Sequence, residues 1–230
     1  LEVDRFLCVP FNAQVADTPP DVFIDKLLVH GLGVRHLVVG DDFRFGRNRE
    51  GDFALLAEAG RRLGFEVLST PSYTVDGQRV SSTRIREALA VGDLVAAERL
   101  LGRRYSMSGR VIEGARLGRT LGYPTANLKL GRRVSPLDGI FAVRVNGVSK
   151  APWPAVASLG TRPTVDGGEM LLEAHLFDFD GNLYGRHLNV EFVARLRDER
   201  RFDSLASLTE QMHVDAARAR EILGLSPGAA

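Results

Sequence analysis

The sequence predicts two folds in series: a partial doubly wound α/β domain, then a small antiparallel β-barrel with a C-terminal helix. Two observations carry this. Over residues 1–80, short apolar runs alternate with helically spaced segments, the pattern of a parallel sheet with crossover helices. From residue 107 the hydrophobic period becomes two, that of strands with one buried face.

In the first part, "RFLCVPF" (5–11) and "HLVVG" (36–40) read as strands buried on both faces. Thr18 followed by Pro19-Pro20 reads as an N-cap with Pro at a helix start, and "DVFIDKLLVHG" as the helix, stopping at Gly31 or Gly33. "GDFALLAEAGRRLG" (51–64) is a second helix and "FEVLST" (65–70) a third strand. Two short helices follow, the first capped by Ser82 and ended by Gly92, the second capped by Asp93 and ended by Gly102. The boundary is placed at about 102–106, dividing the chain into 1–104 and 105–230. Beyond it, "SGRVIEG", "GIFAVRVNGV", "WPAVASLG", "MLLEAHLFDF" and "HLNVEFVARL" are strands, and Asp180-Gly181 signals a hairpin turn. A helix from Asp203 or Ser204 keeps Leu205, Leu208, Met212, Ala216, Ala219 and Leu223 on one stripe.

Composition sets limits. The 230 residues are 44% hydrophobic and 26% charged, ordinary for a globular protein with real cores. A net charge of +1 gives no global field for nucleic acid or a membrane surface. Only Lys26, Lys129 and Lys150 are lysines, an arginine bias read as base composition. The single cysteine, Cys8, excludes an internal disulfide; it reads as a buried small hydrophobe in a reducing, cytoplasmic setting. No apolar run reaches the ~20 residues of a membrane helix. No signal peptide or initiator Met opens the chain.

Four stretches carry candidate chemistry. "VSSTRIREAL" (80–89) is either an anion site at a helix start or a Ser N-cap with solvated arginines. "GDDFRFGRNREGD" (40–52) follows a strand at its carboxyl end, where α/β sheets bind ligands; a charged loop with two tucked phenylalanines is the alternative. "GARLGRTLGYPTANL" (114–128) spaces Gly114, Gly118 and Gly122 four residues apart, with Arg116 among them and Pro124 before Thr125 and Asn127. It lacks the G-K-[ST] of a Walker loop. It is either a turn feeding a strand or a phosphate cradle whose Thr125 and Asn127 oxygens suit Mg²⁺. Glu173 shares a strand face with Leu171, His175 and Phe177; it is either a solvated acid or a carboxylate facing a ligand. His175 reads as an ordinary strand residue, Trp153 as core or barrel rim, and "RLRDERRFDSL" (195–205) as a mostly solvated charge run.

In order and spacing, "GRVIEGARLGRTLGYPTANL", "ASLGTRPTVDGG", "LLEAHLFDFDGNLYG" and "VEFVARLRDERRFDSLASLTEQM" resemble the riboflavin kinase pattern. Upstream, "VVGDDFRFG" and "VSSTRIREAL…GDLVAAERLLGRRY" resemble the adenylyltransferase module of bifunctional bacterial riboflavin kinase/FAD synthetases. The resemblance covers nearly the whole chain. It implies a six-stranded barrel for residues 105–230, with Thr125 and Asn127 on Mg²⁺ and the ATP phosphates under the folded glycine-rich segment. It implies Glu173 as general base, and Arg197, Glu199 and Phe202 in a segment closing over the flavin. In the first module it leaves Asp42, Arg79, Ser82, Thr83 and Arg86 as nucleotide residues. The family's H-x-G-H phosphate motif does not occur, so a chain longer at the N-terminus is expected. The implied reaction is riboflavin phosphorylation to FMN, with FMN adenylylation to FAD in the full-length protein. The substrates are small molecules, with no nucleic acid or membrane partner; the oligomeric state is left open. A flavin- or nucleotide-binding module without turnover is the alternative. An RNA-binding barrel is disfavoured by the neutral charge and the lack of a basic stripe interleaved with aromatics.

Overall fold

The computed structural model describes residues 3–114, 118, 121–131, 134–162 and 169–226. They form two compact units, 1–79 and 80–230.

In the first unit, β1 (His36–Gly40) and β2 (Glu66–Thr70) pair in parallel, with His36 opposite Glu66 and Gly40 opposite Thr70. Helix α3 (Phe53–Leu63) makes the crossover; Asp52 caps it, its carboxylate accepting from the Leu55 amide at 3.0 Å. Ile24, Leu28, Phe45, Leu56, Ala59 and Phe65 form the core. The helix expected near residue 20 starts at Pro20 as α2 (Pro20–Val22) and continues as a π-helix, Phe23–Gly31. Its N-cap is Pro19, without a side-chain bond; Thr18 instead donates to the Gln14 carbonyl at 2.8 Å, beyond α1 (Ala13–Ala16).

Residues 5–11 are not a strand. They pair with neither β1 nor β2 and lie at the surface, with Phe6 88% exposed and Cys8 exposed rather than buried. Apolar composition makes a strand only where a neighbouring edge takes up the backbone N–H and C=O groups. β1 is half exposed, not sheathed on both faces. A short hairpin, β3 (Thr74–Val75) and β4 (Gln78–Arg79), turns at Asp76-Gly77, both at positive φ. That dipeptide, with positive φ at both residues, is the type I′ turn signal.

The second unit opens with α4 (Ser82–Ala90) and α5 (Leu94–Leu101). Ser81, not Ser82, caps α4, its hydroxyl accepting from the Arg84 amide at 3.3 Å. Leu89, Leu94 and Ala97 are buried in the barrel core, so the helix pair stands with the barrel and the compact division falls well before residue 104. The barrel strands are β5 (Ser106–Ile112), β6 (Ala126–Lys129), β7 (Gly139–Asn146), β8 (Trp153–Arg162), β9 (Glu169–Leu176) and β10 (His187–Arg197). They close in the order β10-β5-β6-β9-β8-β7, every neighbouring pair antiparallel. Val111, Leu128, Phe141, Leu159, Leu172 and Phe192, none more than 3% exposed, fill the interior. Asp180-Gly181 is no hairpin turn, because β9 lies between β6 and β8 while β10 lies between β5 and β7. The 177–186 connection crosses instead to β5, where Gly185 N–H donates to the Val111 carbonyl and Val111 N–H to the Arg186 carbonyl, both at 2.9 Å.

The C-terminal helix (Leu205–Leu223) is capped by Ser204 and packs Ala216, Ala219 and Leu223 against Ala142, Phe177 and Leu196. Leu205, expected on the buried stripe, is 59% exposed. Among the described residues, no helix is long and apolar enough to cross a membrane.

Candidate active site

Strand register builds the site. It sets Asn127 opposite Glu173, Glu173 opposite Ser158, Ser158 opposite Ile140, and Ile140 opposite Arg197. Directly paired residues share a sheet face with Cβ atoms ~4.5–5.5 Å apart. Leu128, Leu172 and Ala174 point into the barrel, so the alternating positions Asn127 and Glu173 point outward. A register shift between Arg195 and Arg197 re-aims the end of β10. Residues far apart in sequence thus form one transverse row, polar at every position but Ile140. A cleft of about 930 Å³ opens over the Glu173, Ser158, Ile140 and Arg197 positions of this row, lined also by Gly118, Thr125, Glu199 and Phe202.

The glycine-rich stretch is both a turn and a wall of this cleft. The Gly118 carbonyl accepts from the amides of Leu121 and Tyr123, at 3.1 and 2.7 Å, and Gly122 takes φ +83°. Gly114 lies against Asn127; a Cβ there would come within 2.5 Å of Asn127 Oδ1. Asn127 is 6% exposed, its Nδ2 3.4 Å from both the Thr125 carbonyl and hydroxyl oxygens. Pro124 offers its carbonyl to His175 Nδ1–H at 2.9 Å. Arg116 lies outside the described residues.

Thr125 and Asn127 are hard, neutral oxygen donors. Among the described residues, no group of three His, Cys, Asp or Glu could hold a metal. That donor set fits Mg²⁺ arriving with phosphates and retained waters, rather than a dedicated protein cage.

Most of the charge run is exposed, as its sequence implies, yet several of its side chains have partners. Arg197 forms an ion pair with Asp215 at 2.7 Å; Glu199 accepts from the Ser158 hydroxyl at 3.1 Å; Phe202 has the Arg200 guanidinium 4.8 Å from its ring centroid.

Sequence reasoning missed Tyr123, His175 and His213. Tyr123 Oη lies 2.5 Å from His213 Nδ1 on the C-terminal helix, and its ring meets His175 edge-on at 4.9 Å. Burial lowers the pKa of His175, against the opposing Pro124 bond, and raises that of Tyr123. Only the fold joins these residues; the one local signal was that Tyr123 abuts the proline turn.

In the first unit, Arg79 bridges Asp42 at 2.7 Å and Asp41 at 3.5 Å, just beyond the carboxyl ends of β1 and β2. The Ser72 hydroxyl, donating to Asp41 at 2.8 Å, holds that carboxyl below its usual range. Ser82, Thr83 and Arg86 are exposed on α4 and belong to the second unit.

The riboflavin kinase family model matches residues 101–223 and the FAD synthetase model residues 1–84. The bifunctional riboflavin kinase/FMN adenylyltransferase of Escherichia coli (strain K12) is 50% identical over 97% of this chain and 72% of its own length. That of Pseudomonas fluorescens is 49% identical over 96% and 71%. A crystal structure described as a macrolide-efflux protein from Streptococcus pneumoniae superposes with TM-score 0.69 at 33% identity, over 89% of this chain and 66% of that one. Two family matches in the expected order, and half the residues shared along almost all of its length, establish that the chain belongs to the bifunctional riboflavin kinase/FMN adenylyltransferase family.

Proposed function

We propose that residues 105–230 transfer the γ-phosphoryl group of ATP to the 5′-hydroxyl of riboflavin, giving FMN. The observation that carries this reading is the register row that sets Asn127 beside Glu173 and Glu173 beside Ser158, with Glu173, Ser158 and Thr125 lining the cleft. Phosphoryl transfer asks the protein to align reactants and to stabilise charge. The turn at Gly118 and Gly122, with Gly114 against Asn127, brings backbone close to the ATP phosphates. Thr125 and Asn127 would hold Mg²⁺, which when bound neutralises phosphate charge. Glu173 accepts the proton of the attacking hydroxyl. Arg197, Glu199 and Phe202 hold the flavin.

We assign residues 1–104 to FMN adenylylation, with Asp42 and Arg79 beyond the carboxyl ends of β1 and β2 as nucleotide-binding residues; Ser82, Thr83 and Arg86 on α4 are nucleotide-binding residues by their place in the family pattern. The setting is cytoplasmic and the partners are small molecules. Incubation with riboflavin, ATP and Mg²⁺, followed by chromatography, tests the reading. FMN supports it; tight flavin binding without product favours a binding module; FAD shows that the first unit also turns over.

A further inference from the structure

Asn127 and Asp215 are the buried polar residues among those described, each 6% exposed. Asn127 pairs with Glu173 in the register row; Asp215 lies on the C-terminal helix and lines the cleft. Its carboxylate accepts from Arg197 Nε at 3.0 Å and Nη2 at 2.7 Å, and from Gln211 Nε2 at 2.9 Å. The remaining Arg197 nitrogen, Nη1, donates to the Asp198 carbonyl at 2.8 Å, and the guanidinium carbon sits 5.7 Å from the Phe202 ring centroid. Gln211 also accepts from Arg200 through its Oε1, and Arg200 stacks on the same ring. Gln211 and Asp215 stand four residues apart, on one face of the helix. Between them they grip both arginines set against the Phe202 ring, Arg197 and Arg200.

Packing alone does not call for this arrangement. Apolar residues of similar volume usually stabilise a buried site as well as an ion pair does, whereas removing one partner leaves an uncompensated charge. What the pair supplies is direction: a bidentate carboxylate fixes the plane of the guanidinium. We propose that Gln211 and Asp215 are positioning residues that hold the Asp198–Phe202 segment over the cleft, and thereby set the affinity for the flavin. The affinity clause rests on the riboflavin kinase reading; the positioning clause does not.

The test compares the 230-residue protein with Asp215→Asn and with the milder Gln211→Leu. Amide hydrogen exchange is read at 198–202 and in the barrel strands, and KM is measured for riboflavin and for ATP. In Asp215→Asn, exchange at 198–202 should quicken about tenfold or more while the barrel strands stay unchanged, as expected for losing one partner of a buried pair. KM for riboflavin should rise about tenfold, with KM for ATP within about twofold. Gln211→Leu should shift the same readouts in the same direction by less, and it decides the matter if Asp215→Asn does not fold. Unchanged exchange at 198–202, or exchange rising uniformly over barrel and helix, overturns the positioning role. Absence of FMN with the parent protein overturns the kinase reading and the affinity clause with it, while the exchange comparison still decides the positioning clause.

Discussion

The two units use β-structure in opposite ways. In the barrel every strand has two neighbours, the interior is filled, and the outward positions are free to carry chemistry. In the first unit two parallel strands share one ladder, Val38 and Leu68 are 57% and 47% exposed, and Asp42 and Arg79 sit at the surface. A closed sheet satisfies its own backbone, so register alone can deliver side chains to a site. An open pair leaves that work to loops. The kinase residues should therefore be hard to disturb structurally and sensitive chemically, and those of the first unit the reverse.

Glu173→Gln should have the largest effect, lowering FMN formation about 10²–10⁴-fold, the usual worth of a positioned general base, with an unchanged unfolding midpoint. Near-normal turnover would remove Glu173 from that role. Phe141→Ala, at a side chain 0% exposed, should cost about 3–5 kcal/mol in urea titration, whereas Leu68→Ala on the open sheet should stay within about 0.5 kcal/mol. Equal losses at the two sites would erase the contrast between the units. Gly114→Ala pushes a methyl into the Asn127 amide; KM for ATP should rise roughly tenfold, about 1.4 kcal/mol, with riboflavin KM steady.

His175 gives a smaller, pH-dependent effect. Its folded pKa lies below the ordinary 6.5 because burial disfavours the charged ring. The unfolded chain therefore binds a proton first, and stability falls as pH drops through 6.5 toward the folded value. Melting of His175→Leu against the parent from pH 8 to 5 should show the parent losing more; parallel curves would contradict this. Smallest of all, Asp42→Asn should leave FMN formation unchanged and stability within about 0.5 kcal/mol, affecting at most the first unit's reaction. A drop in FMN would tie the two activities together.

The sequence by itself determined the local elements whose signals are local: the helix over 51–64, Asp93 at a helix start, a terminal helix from residue 203 or 204, and five barrel strands from their period of two. It also carried the family motifs. It misled where an element depends on a neighbour. "RFLCVPF" is apolar enough for a strand but pairs with none, and Asp180-Gly181 looks like a hairpin although β9 and β10 are not adjacent. Tertiary structure alone decided that Asn127, Glu173 and Ser158 form a row, that β6 supplies the sixth strand, and that Tyr123, His175, Gln211 and Asp215 border the site. Periodicity tells which face a side chain takes; only register and closure tell which distant side chain stands beside it.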